Sequence, residues 1–440
     1  MSQRPPPSDP TVHASRRARI FERLGRRALV LPASPPAVRS RDTEHPHRPD
    51  SELMWATGVT EPDAVAVLRG HADEDRFVLF MRERDPEAER WDGPRLGVEA
   101  ALEGTGADAV YPIAELAERL PSLIQGSDGV AFRMGEGRRG EAEVVAALGW
   151  GRRRGPRTGV GPRFVVDPGE ILDDLRLVKS ADELHLMRGA AERTVAAFDE
   201  IASRIRAGVG EWELQGRLDG AFRAHGGEGP AYESIVASGP NACVLHYVAC
   251  DRVLAPDDLV LIDAGASWGW YAADLTRTFP VDGAFTGPGR AVYEIVDRAR
   301  AEAVAAVRPG VAVAEVHEVA VGVIREGLVA LGVLDAGAAA EPAAHRPWYP
   351  HQTSHWLGQD VHDVGDYAVA GESRLLEPGM VLTVEPGLYF PATDADGPAG
   401  TFAGVGVRIE DDVLVTGDGH EVLTSGFPTA PDEVAARVRG

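Results

Sequence analysis

Cysteine and long hydrophobic runs are both scarce in this sequence. Cys243 and Cys250 are the only cysteines in 440 residues, too few for a disulfide framework or, without a second pair, for a thiolate zinc site. The longest apolar stretches, such as 28–31 and 304–307, fall far short of the roughly 20 residues that a membrane-spanning helix needs. We therefore expect a soluble protein with two reduced thiols.

Positive charge is also in deficit, because 45 Lys and Arg residues face 68 Asp and Glu residues and leave a net charge of −23. A surface of this sign repels nucleic acid and anionic lipid, so we expect no nucleic acid and no membrane among its partners. The Pro-rich start contains Arg16-Arg17, but the apolar run of an export signal does not follow it. We predict a disordered tail over 1–15 and a cytoplasmic location.

The chain length of 440 residues, 44% of them hydrophobic, suits two domains. The first part mixes strand and helix patterns, with strands expected at 28–31, 64–68 and 77–81 and helices at 113–123 and 142–148. A Gly-, Arg- and Pro-rich stretch at 149–161 indicates a boundary. We predict an N-terminal α/β domain over 16–174 and a second domain over 175–440.

An approximate repeat of about 100 residues divides the second domain. Ser180 and Glu183 form a capping box for a helix predicted to run to Gly208. Each half then contains an Arg-x-Gly-Val segment, a second helix and a strand-rich segment, at 206–209, 211–225 and 229–285 in the first half and at 308–311, 313–331 and 349–425 in the second. Two such halves predict a pseudo-twofold α+β domain with a site where the sheets meet.

A hairpin is predicted around two aspartates. The apolar run 259–262 ends in Asp263, and the chain returns to Asp274 after Trp268-Gly269. If Trp268-Gly269 is a two-residue loop, Asp263 and Asp274 lie opposite each other on one face, roughly 5 Å apart. Like charges repel there, and a bound cation would neutralise them. The alternative is a pair of solvent-facing aspartates at the polar end of a hairpin.

Two further strands carry acids. The run from Val381 to Glu385 stops at Pro386-Gly387, and the run 407–416 carries Arg408 and Glu410. Alternation puts Arg408 and Glu410 on the same face of the second strand, where a plain salt bridge between them is the alternative to a functional role. Four acids on short strands of one domain favour a cation site.

Three of the 13 histidines, His351, His355 and His362, stand in one segment. The first two have helical i, i+4 spacing, but no Glu follows His351, and Pro350 and Gly358 disfavour a helix. We therefore predict a loop or short strand rather than the zinc-protease helix. Its place beside acid-carrying strands favours a functional role for the histidines over a structural one.

These segments together resemble the aminopeptidase P (Xaa-Pro aminopeptidase) branch of the methionine aminopeptidase and prolidase superfamily. The matching stretches of the second domain are LIDAGASWGWYAADLTRTFP (261–280), HQTSHWLGQDVHDVG (351–365), GMVLTVEPGLY (379–389) and VRIEDDVLVT (407–416). The first domain resembles the same branch through RSRDTEHPHRPDSELMWATGVTEPDAV (39–65) and FMRERDPEAERWDGPRLG (80–97). The resemblance covers almost the whole chain. It implies an N-terminal α/β domain followed by a pseudo-twofold catalytic domain with the pita-bread fold.

The resemblance also implies roles for particular residues. Five residues are expected to bind two metal ions: Asp263, Asp274, His355, Glu385 and Glu410. Of these, Asp274 and Glu410 are expected to bind both ions. Three histidines are expected to surround the substrate and the developing oxyanion: His246, His351 and His362.

Four further residues are implied at the edge of the site. Arg408, Tyr389 and Asp42 are expected to form a hydrogen-bonded set beside the metals, and Trp91 is expected to reach the site of a neighbouring subunit. One departure from the family pattern is Gln352-Thr353, where many relatives have Gly-Leu.

The implied reaction is hydrolysis of the peptide bond between an N-terminal residue and a penultimate proline, by a hydroxide held between two divalent ions. Glu385 is the expected proton shuttle, and His351 and His362 are expected to stabilise the oxyanion and the leaving group. Four carboxylates and one imidazole suit a relatively hard ion, so Mn²⁺ is expected, with Co²⁺ or Zn²⁺ as substitutes. The resemblance further implies peptides with proline at the second position as substrates, and a homodimer or homotetramer.

Two alternatives remain open for the function. A prolidase, which cleaves only Xaa-Pro dipeptides, shares the metal pattern. A non-catalytic peptide-binding protein on the same fold is the alternative from another class of function. Hydrolysis of a longer Xaa-Pro peptide separates these hypotheses.

Overall fold

The computed structural model describes residues 4–6, 9–397 and 399–439. They form two compact units, one within 7–175 and the other within 176–440 together with 4–6. Among the described residues, no helix is both long and apolar enough to cross a bilayer.

The N-terminal unit is built on one six-stranded sheet with the strand order β6-β5-β4-β1-β7-β8. Its strands are β1 (Ala28–Pro32), β2 (Val38–Ser40), β3 (Thr43–Glu44), β4 (Val65–Arg69), β5 (Phe77–Met81), β6 (Ala109–Pro112), β7 (Val130–Ala131) and β8 (Val165–Val166). Its helices are α1 (Pro10–Leu24), α2 (Ser51–Thr57), α3 (Glu89–Asp92), α4 (Gly97–Thr105), α5 (Leu116–Ile124) and α6 (Glu141–Thr158). Helix α7 (Gly169–Leu177) contains the division between the units.

Both faces of this sheet are covered. Every residue of β1 is buried, and alternation sends Leu29 and Leu31 into one apolar cluster with α1 and α2, and Ala28 and Val30 into another with α5 and α6. This two-sided burial explains the continuous apolar runs of the central strands. The three strands predicted in this part are confirmed as β1, β4 and β5.

Two predictions for the N-terminal part are wrong. The tail predicted over 1–15 lies partly outside the described residues, but from Pro10 onward it is helical, because the side chain of Asp9 caps α1 by accepting from the N–H of Thr11. The predicted boundary at 149–161 is occupied by α6 as far as Thr158. Its glycines serve packing there, since a Cβ at Gly151 would lie 2.3 Å from the carbonyl oxygen of Pro162.

The C-terminal unit contains two helix pairs, as the repeat predicts. Its helices are α8 (Ala181–Ala202), α9 (Glu211–Ala224), α10 (Gly287–Ala306), α11 (Val313–Ala330) and α12 (Pro431–Arg439). Its strands are β9 (Gly229–Pro230), β10 (Ile235–Ser238), β11 (Leu259–Asp263), β12 (Ala266–Trp268), β13 (Tyr271–Ala272), β14 (Thr276–Pro280), β15 (Ala368–Val369), β16 (Glu372–Ser373), β17 (Val381–Val384), β18 (Gly387–Tyr389), β19 (Gly406–Arg408), β20 (Asp411–Val415) and β21 (His420–Val422). The small sheets that matter for the site are β10-β11-β14, β17-β20-β21 and β18-β19.

The start of α8 is as predicted, with both hydrogen bonds of the Ser180–Glu183 capping box present. Its predicted end at Gly208 is wrong, because the helix stops at Ala202. The segment that follows is a turn in which Gly208 has a φ of 87° and donates its N–H to the carbonyl of Leu254. A glycine in the left-handed region, with its N–H bonded to a carbonyl far along the chain, does not continue a helix.

The predicted hairpin exists, but its turn lies one residue further along the chain. Gly269 and Trp270 form the loop, with φ values of 61° and 64°, as a turn with two left-handed residues requires. Asp263 therefore pairs with Thr276 rather than with Asp274. The pairing has shifted by two residues, so Asp274 stays on the same face as Asp263, at the diagonal position.

The strand predicted over 407–416 is two strands. Strand β19 pairs with β18, and β20 pairs with β17 in a different sheet. The break falls at Ile409 and Glu410. The backbone N–H of Glu410 donates to the carbonyl of Thr276 at 3.1 Å, which joins this break to β14 in the first half of the unit.

Candidate metal centre

Four acidic side chains converge at the ends of short strands. Asp263 ends β11, Asp274 precedes β14, Glu385 follows β17, and Glu410 fills the break between β19 and β20. A strand end lets a side chain leave an apolar sheet while its neighbours remain in the core. Each half of the unit thus contributes two acids to the same cluster, Asp263 and Asp274 from the first half and Glu385 and Glu410 from the second.

The two aspartates share one hydroxyl group. The phenol of Tyr232 lies 2.6 Å from Oδ1 of Asp263 and makes a short hydrogen bond with Oδ1 of Asp274. Asp263 and Asp274 are only 9% and 4% exposed. Two buried carboxylates close enough to contact the same hydroxyl need positive charge nearby.

His355 completes the cluster from a loop, as predicted for this segment. Its Nδ1 lies 3.0 Å from the carbonyl of Trp356 and donates to it, which leaves Nε2 facing the acids. Nε2 is 3.5 Å from Oδ2 of Asp274 and 3.6 Å from Oε1 of Glu385. A histidine whose second nitrogen is fixed by a carbonyl is the usual form of a metal ligand.

The ligand atoms of Asp274, His355 and Glu410 all lie within 4.8 Å of one another. With Asp263 joined through Tyr232, and Glu385 beside His355, all five predicted metal ligands are brought together. Their carboxylate oxygens and imidazole nitrogen form a donor set that fits divalent cations.

The electrostatics of the cluster also fit a cation. Burial and the neighbouring Asp274 raise the pKa of Glu410 well above its usual value. Burial raises the pKa of Glu385 to about 7. Burial alone would lower the pKa of His355, but the hydrogen bond with Asp274 and the charge of Glu385 outweigh it and raise the value to about 9. The cluster therefore holds more negative charge than its protein neighbours offset.

Arg408 neutralises part of this charge, and its ionic partner is not the one that the plain salt-bridge alternative supposes. Its Nη2 makes a short ion pair with Oδ2 of Asp263 rather than with Glu410, because β19 turns away from β20 at the break. Its Nη1 donates to the phenol oxygen of Tyr389 at 3.1 Å. This contact brings together two members of the expected set, whose role beside the metals stays a prediction.

The three predicted histidines surround a cavity of about 440 Å³, into which the acids also open. Its lining includes His246, His351, His362, Gln352, Glu385, Arg408 and Glu410. The ring of His362 lies 4.4 Å from that of His355. This cavity is large enough for a few residues of peptide, and the acids and the histidines line it together.

His351 is held on both ring nitrogens. Its Nδ1 donates to the carbonyl of Gln352 at 2.8 Å, so its Nε2 accepts from the Tyr389 hydroxyl at 2.9 Å. Burial, reinforced by the charge of Arg408, lowers the pKa of His351 to about 3. His351 is therefore neutral and oriented by a directed chain from Arg408 through Tyr389.

Two predicted site residues belong to the N-terminal unit. Asp42 lies in the exposed turn between β2 and β3, and Trp91 in α3 is 86% exposed. Their roles at the active site stay predictions.

Several residues that hydrogen-bond to the predicted ligands were not predicted from the sequence. Thr276 donates to Glu410 Oε2 at 2.6 Å, Thr383 accepts from the N–H of His355 at 3.1 Å, and Asp412 accepts from the N–H of Asp274 at 3.0 Å. Each stands two residues from a predicted ligand, so alternation could have found all three. Tyr232 lies some distance along the chain in an irregular segment, and no local pattern marks it.

We expect Tyr232→Phe to lower metal affinity or kcat by about 10- to 100-fold, the usual effect of losing a hydrogen bond to metal ligands. Two buried carboxylates would lose the hydroxyl that they share. Metal titration and steady-state kinetics measure the loss. Tyr293→Phe is the control, because it removes a buried hydroxyl that donates to the carbonyl of Thr429. Equal effects of both changes would contradict the role of Tyr232.

A buried ion network fixes the loop that carries His362. Nζ of Lys179 lies 2.9 Å from Oδ2 of Asp363, and Nη2 of Arg176 lies 2.8 Å from Oδ1 of Asp363 and 2.8 Å from Oδ2 of Asp360. The side chains of Lys179, Arg176 and Asp363 are at most 3% exposed.

The loop closes tightly around this network. The N–H of Asp363 donates to the carbonyl of Trp356 at 2.9 Å, and the carbonyl of Gly358 accepts from the N–H of Ala272 in β13. A Cβ at Gly358 would lie 2.0 Å from Oδ2 of Asp363. Glycine is therefore needed at 358 for the carboxylate to reach its cations, and the network sets the place of the neighbouring His362.

Comparison with known proteins agrees with this geometry. A model of metallopeptidase family M24 matches residues 185–417, and a model of the aminopeptidase P N-terminal domain matches 13–131. An Xaa-Pro aminopeptidase of Escherichia coli K12 is 41% identical over 96% of each chain. One of Haemophilus influenzae is 37% identical over 94% of each.

Solved structures show the same likeness over the whole chain. An aminopeptidase of Pseudomonas aeruginosa superposes with a TM-score of 0.93 at 41% identity, covering 98% of both chains. A zinc-substituted aminopeptidase P of Escherichia coli in complex with product gives 0.92 at 39% identity, covering 99% of both.

The fold and the acid and histidine cluster define a metallopeptidase, and the chain belongs to family M24. The match to the aminopeptidase P N-terminal domain, together with relatives that cover nearly the full chain, places it in the aminopeptidase P branch of that family. The mixed α/β fold predicted from the sequence is confirmed.

Proposed function

We propose that the protein is a dinuclear metal-dependent aminopeptidase that hydrolyses the bond between an N-terminal residue and a penultimate proline. The convergence of Asp263, Asp274, His355, Glu385 and Glu410 on one cavity carries this proposal. The Xaa-Pro aminopeptidases that match nearly the whole chain support the substrate class.

The same five residues would hold two divalent ions. When bound, such ions polarise a carbonyl oxygen and make a hydroxide nucleophile available at neutral pH. Asp274 and Glu410 are the proposed shared ligands, since each lies in the compact cluster with His355. Mn²⁺ is the proposed ion, because the donors are mostly hard oxygens, and Co²⁺ or Zn²⁺ are substitutes.

Glu385 is the proposed proton carrier. It opens into the cavity beside His355, where a carboxylate that faces the bound water can act first as a general base and then as a general acid. It would take a proton from the attacking water and deliver it to the nitrogen of the leaving proline.

The histidines and Arg408 complete the proposed machinery. His246 and His362 line the cavity and would contact the peptide and the developing oxyanion. His351 would act with them, kept neutral and oriented by Tyr389 and Arg408.

The remaining proposals concern the assembly and its setting. Asp42 would join the hydrogen-bonded set of Arg408 and Tyr389, and the exposed Trp91 would reach a neighbouring subunit's site in a homodimer or homotetramer. Cytoplasmic action is supported by Cys243 and Cys250, which are both free thiols.

Prolidase is not favoured, because the two relatives described above, which match nearly the whole chain, are Xaa-Pro aminopeptidases. We expect the metal-loaded enzyme to release the first residue from an Xaa-Pro-Pro peptide and to spare the matched Xaa-Ala-Pro peptide. Mass spectrometry of the products measures both, with Gly-Pro as a third substrate. Cleavage of Gly-Pro alone would restore the prolidase hypothesis. Binding of all three peptides without cleavage would favour the non-catalytic peptide-binding protein.

A further inference from the structure

A fully buried threonine lies between two active-site residues in the loop. Thr353 is 0% exposed and follows His351 and Gln352 directly. A buried hydroxyl needs hydrogen-bond partners, because leaving it unsatisfied costs more than an apolar side chain would. The structure supplies them from helix α11 and from the residues just before Pro350.

The partners of Thr353 form a directed chain. Its backbone N–H lies 3.2 Å from Nδ1 of His317, a residue of α11, and an N–H can only donate, so this Nδ1 carries no proton. The Oγ1 of Thr353 lies 2.8 Å from the same nitrogen and donates to it. The hydroxyl of Tyr349, 2.6 Å away, then donates to Thr353 Oγ1. The order of donation is Tyr349 to Thr353 to His317.

This chain is connected to the active site at two points. The carbonyl of Thr353 accepts from the N–H of Glu385 at 2.8 Å. The ring of Tyr349 packs edge-on against that of His351, with 5.0 Å between the ring centres. Glu385, the proposed proton carrier, and His351 therefore both contact the segment that the hydrogen bonds of Thr353 hold in place.

We propose that Thr353, held by His317 and Tyr349, is a positioning residue that sets the placement of Glu385 and His351. The Thr353 hydroxyl bonds the loop to His317 of α11. The Thr353 carbonyl accepts from the N–H of Glu385 and so fixes the backbone of that residue. This inference rests on the proposed function, in which Glu385 moves the proton. His317 acts through Thr353, and Tyr349 acts both through Thr353 and by its direct packing against His351.

The test compares Thr353→Val with Thr353→Ser. Valine keeps the volume and loses the hydroxyl, whereas serine keeps the hydroxyl and leaves a methyl-sized gap. We expect Thr353→Val to lower kcat by about tenfold with little change in KM, as for a group that acts on the transition state, and Thr353→Ser to retain most of the activity. A role in packing alone predicts the opposite order, because valine fills the site better.

Two further measurements sharpen the comparison. In His317→Ala, removal of the Thr353 hydroxyl is expected to have little additional effect on kcat, since the two residues act as one unit. Thr105→Val removes a buried hydroxyl of the N-terminal unit that donates to the carbonyl of Ala101, and it is expected to leave kcat unchanged.

Wild-type kcat in Thr353→Val, or equal losses in the valine and serine variants, would overturn the inference while leaving the proposed function intact. Failure of the wild-type enzyme on every Xaa-Pro substrate would instead refute the proposed function. The chain itself is then still testable by ¹⁵N NMR of His317, assigned by its absence in His317→Ala. A neutral ring with unprotonated Nδ1 is expected, and a proton on that nitrogen would overturn the inference.

Discussion

Glu410→Gln is expected to abolish nearly all activity while making the metal-free protein no less stable. The variant loses a charged ligand shared by the proposed ions, so we expect kcat/KM to fall by about 100- to 1,000-fold, equivalent to about 3–4 kcal/mol. The Gln carbonyl can still accept the hydrogen bond that Thr276 donates. Steady-state kinetics and the metal content of the purified protein measure this loss.

The stability part of this prediction follows from the sign of the pKa shift. Burial raises the pKa of Glu410, so the folded metal-free protein binds a proton that the unfolded chain releases above the ordinary glutamate pKa. Metal-free stability therefore falls as pH rises above that value. Glu410→Gln should reduce this fall, because its side chain has no charge to bury.

Thermal melts of metal-free protein across pH test this behaviour. Glu377→Gln, an exposed change in the same unit, is the control and should leave both the activity and the pH dependence unchanged. In the metal-loaded wild type the trend should reverse, since ligands must lose their protons to bind. A metal-free Glu410→Gln protein that melts well below the metal-free wild type at neutral pH would contradict the account.

Asp363→Asn is expected to lower the free energy of unfolding by about 3–5 kcal/mol, a large loss for a single substitution. It removes the carboxylate that both Lys179 and Arg176 face, and leaves two buried cations without their shared partner charge. Because the network sets the loop of His362, activity should fall even at temperatures where the variant stays folded. Denaturant unfolding and kinetics measure the two effects.

Asp360→Asn is the matched control for this network. Asp360 pairs with the same Arg176, but its side chain is 33% exposed, so water can replace the lost contact and the cost should be under about 1 kcal/mol. The double variant Lys179→Met and Asp363→Leu should recover part of the stability, because it removes opposite buried charges together. Equal destabilisation by Asp363→Asn and Asp360→Asn would refute this account of the network.

Much of the site could be predicted because its residues sit at strand ends, where an acid directly after an apolar run is conspicuous. The histidine loop was also predictable, since Pro350 and Gly358 exclude a helix. The hairpin illustrates the limit of this reasoning. Trp270 adopts a left-handed φ of 64°, which propensity disfavours for a large side chain, so the turn was placed one residue too early.

Other features depend on tertiary contacts that local patterns do not contain. Alternation correctly put Arg408 near the acids, but the break at Ile409 and Glu410 directs it to Asp263. Helix α6 continues through a Gly-rich segment because that segment packs closely against residue 162. Tyr232 reaches both aspartates from an irregular segment, so its role emerges only when the chain is folded.

The most direct test of the central claim is release of the first residue from an Xaa-Pro-Pro peptide by metal-stripped enzyme during stepwise addition of Mn²⁺. The account predicts no release without metal, and release that rises until about two ions are bound per chain. Full activity in the stripped enzyme, or saturating metal with no hydrolysis, would contradict a dinuclear aminopeptidase built on Asp263, Asp274, His355, Glu385 and Glu410.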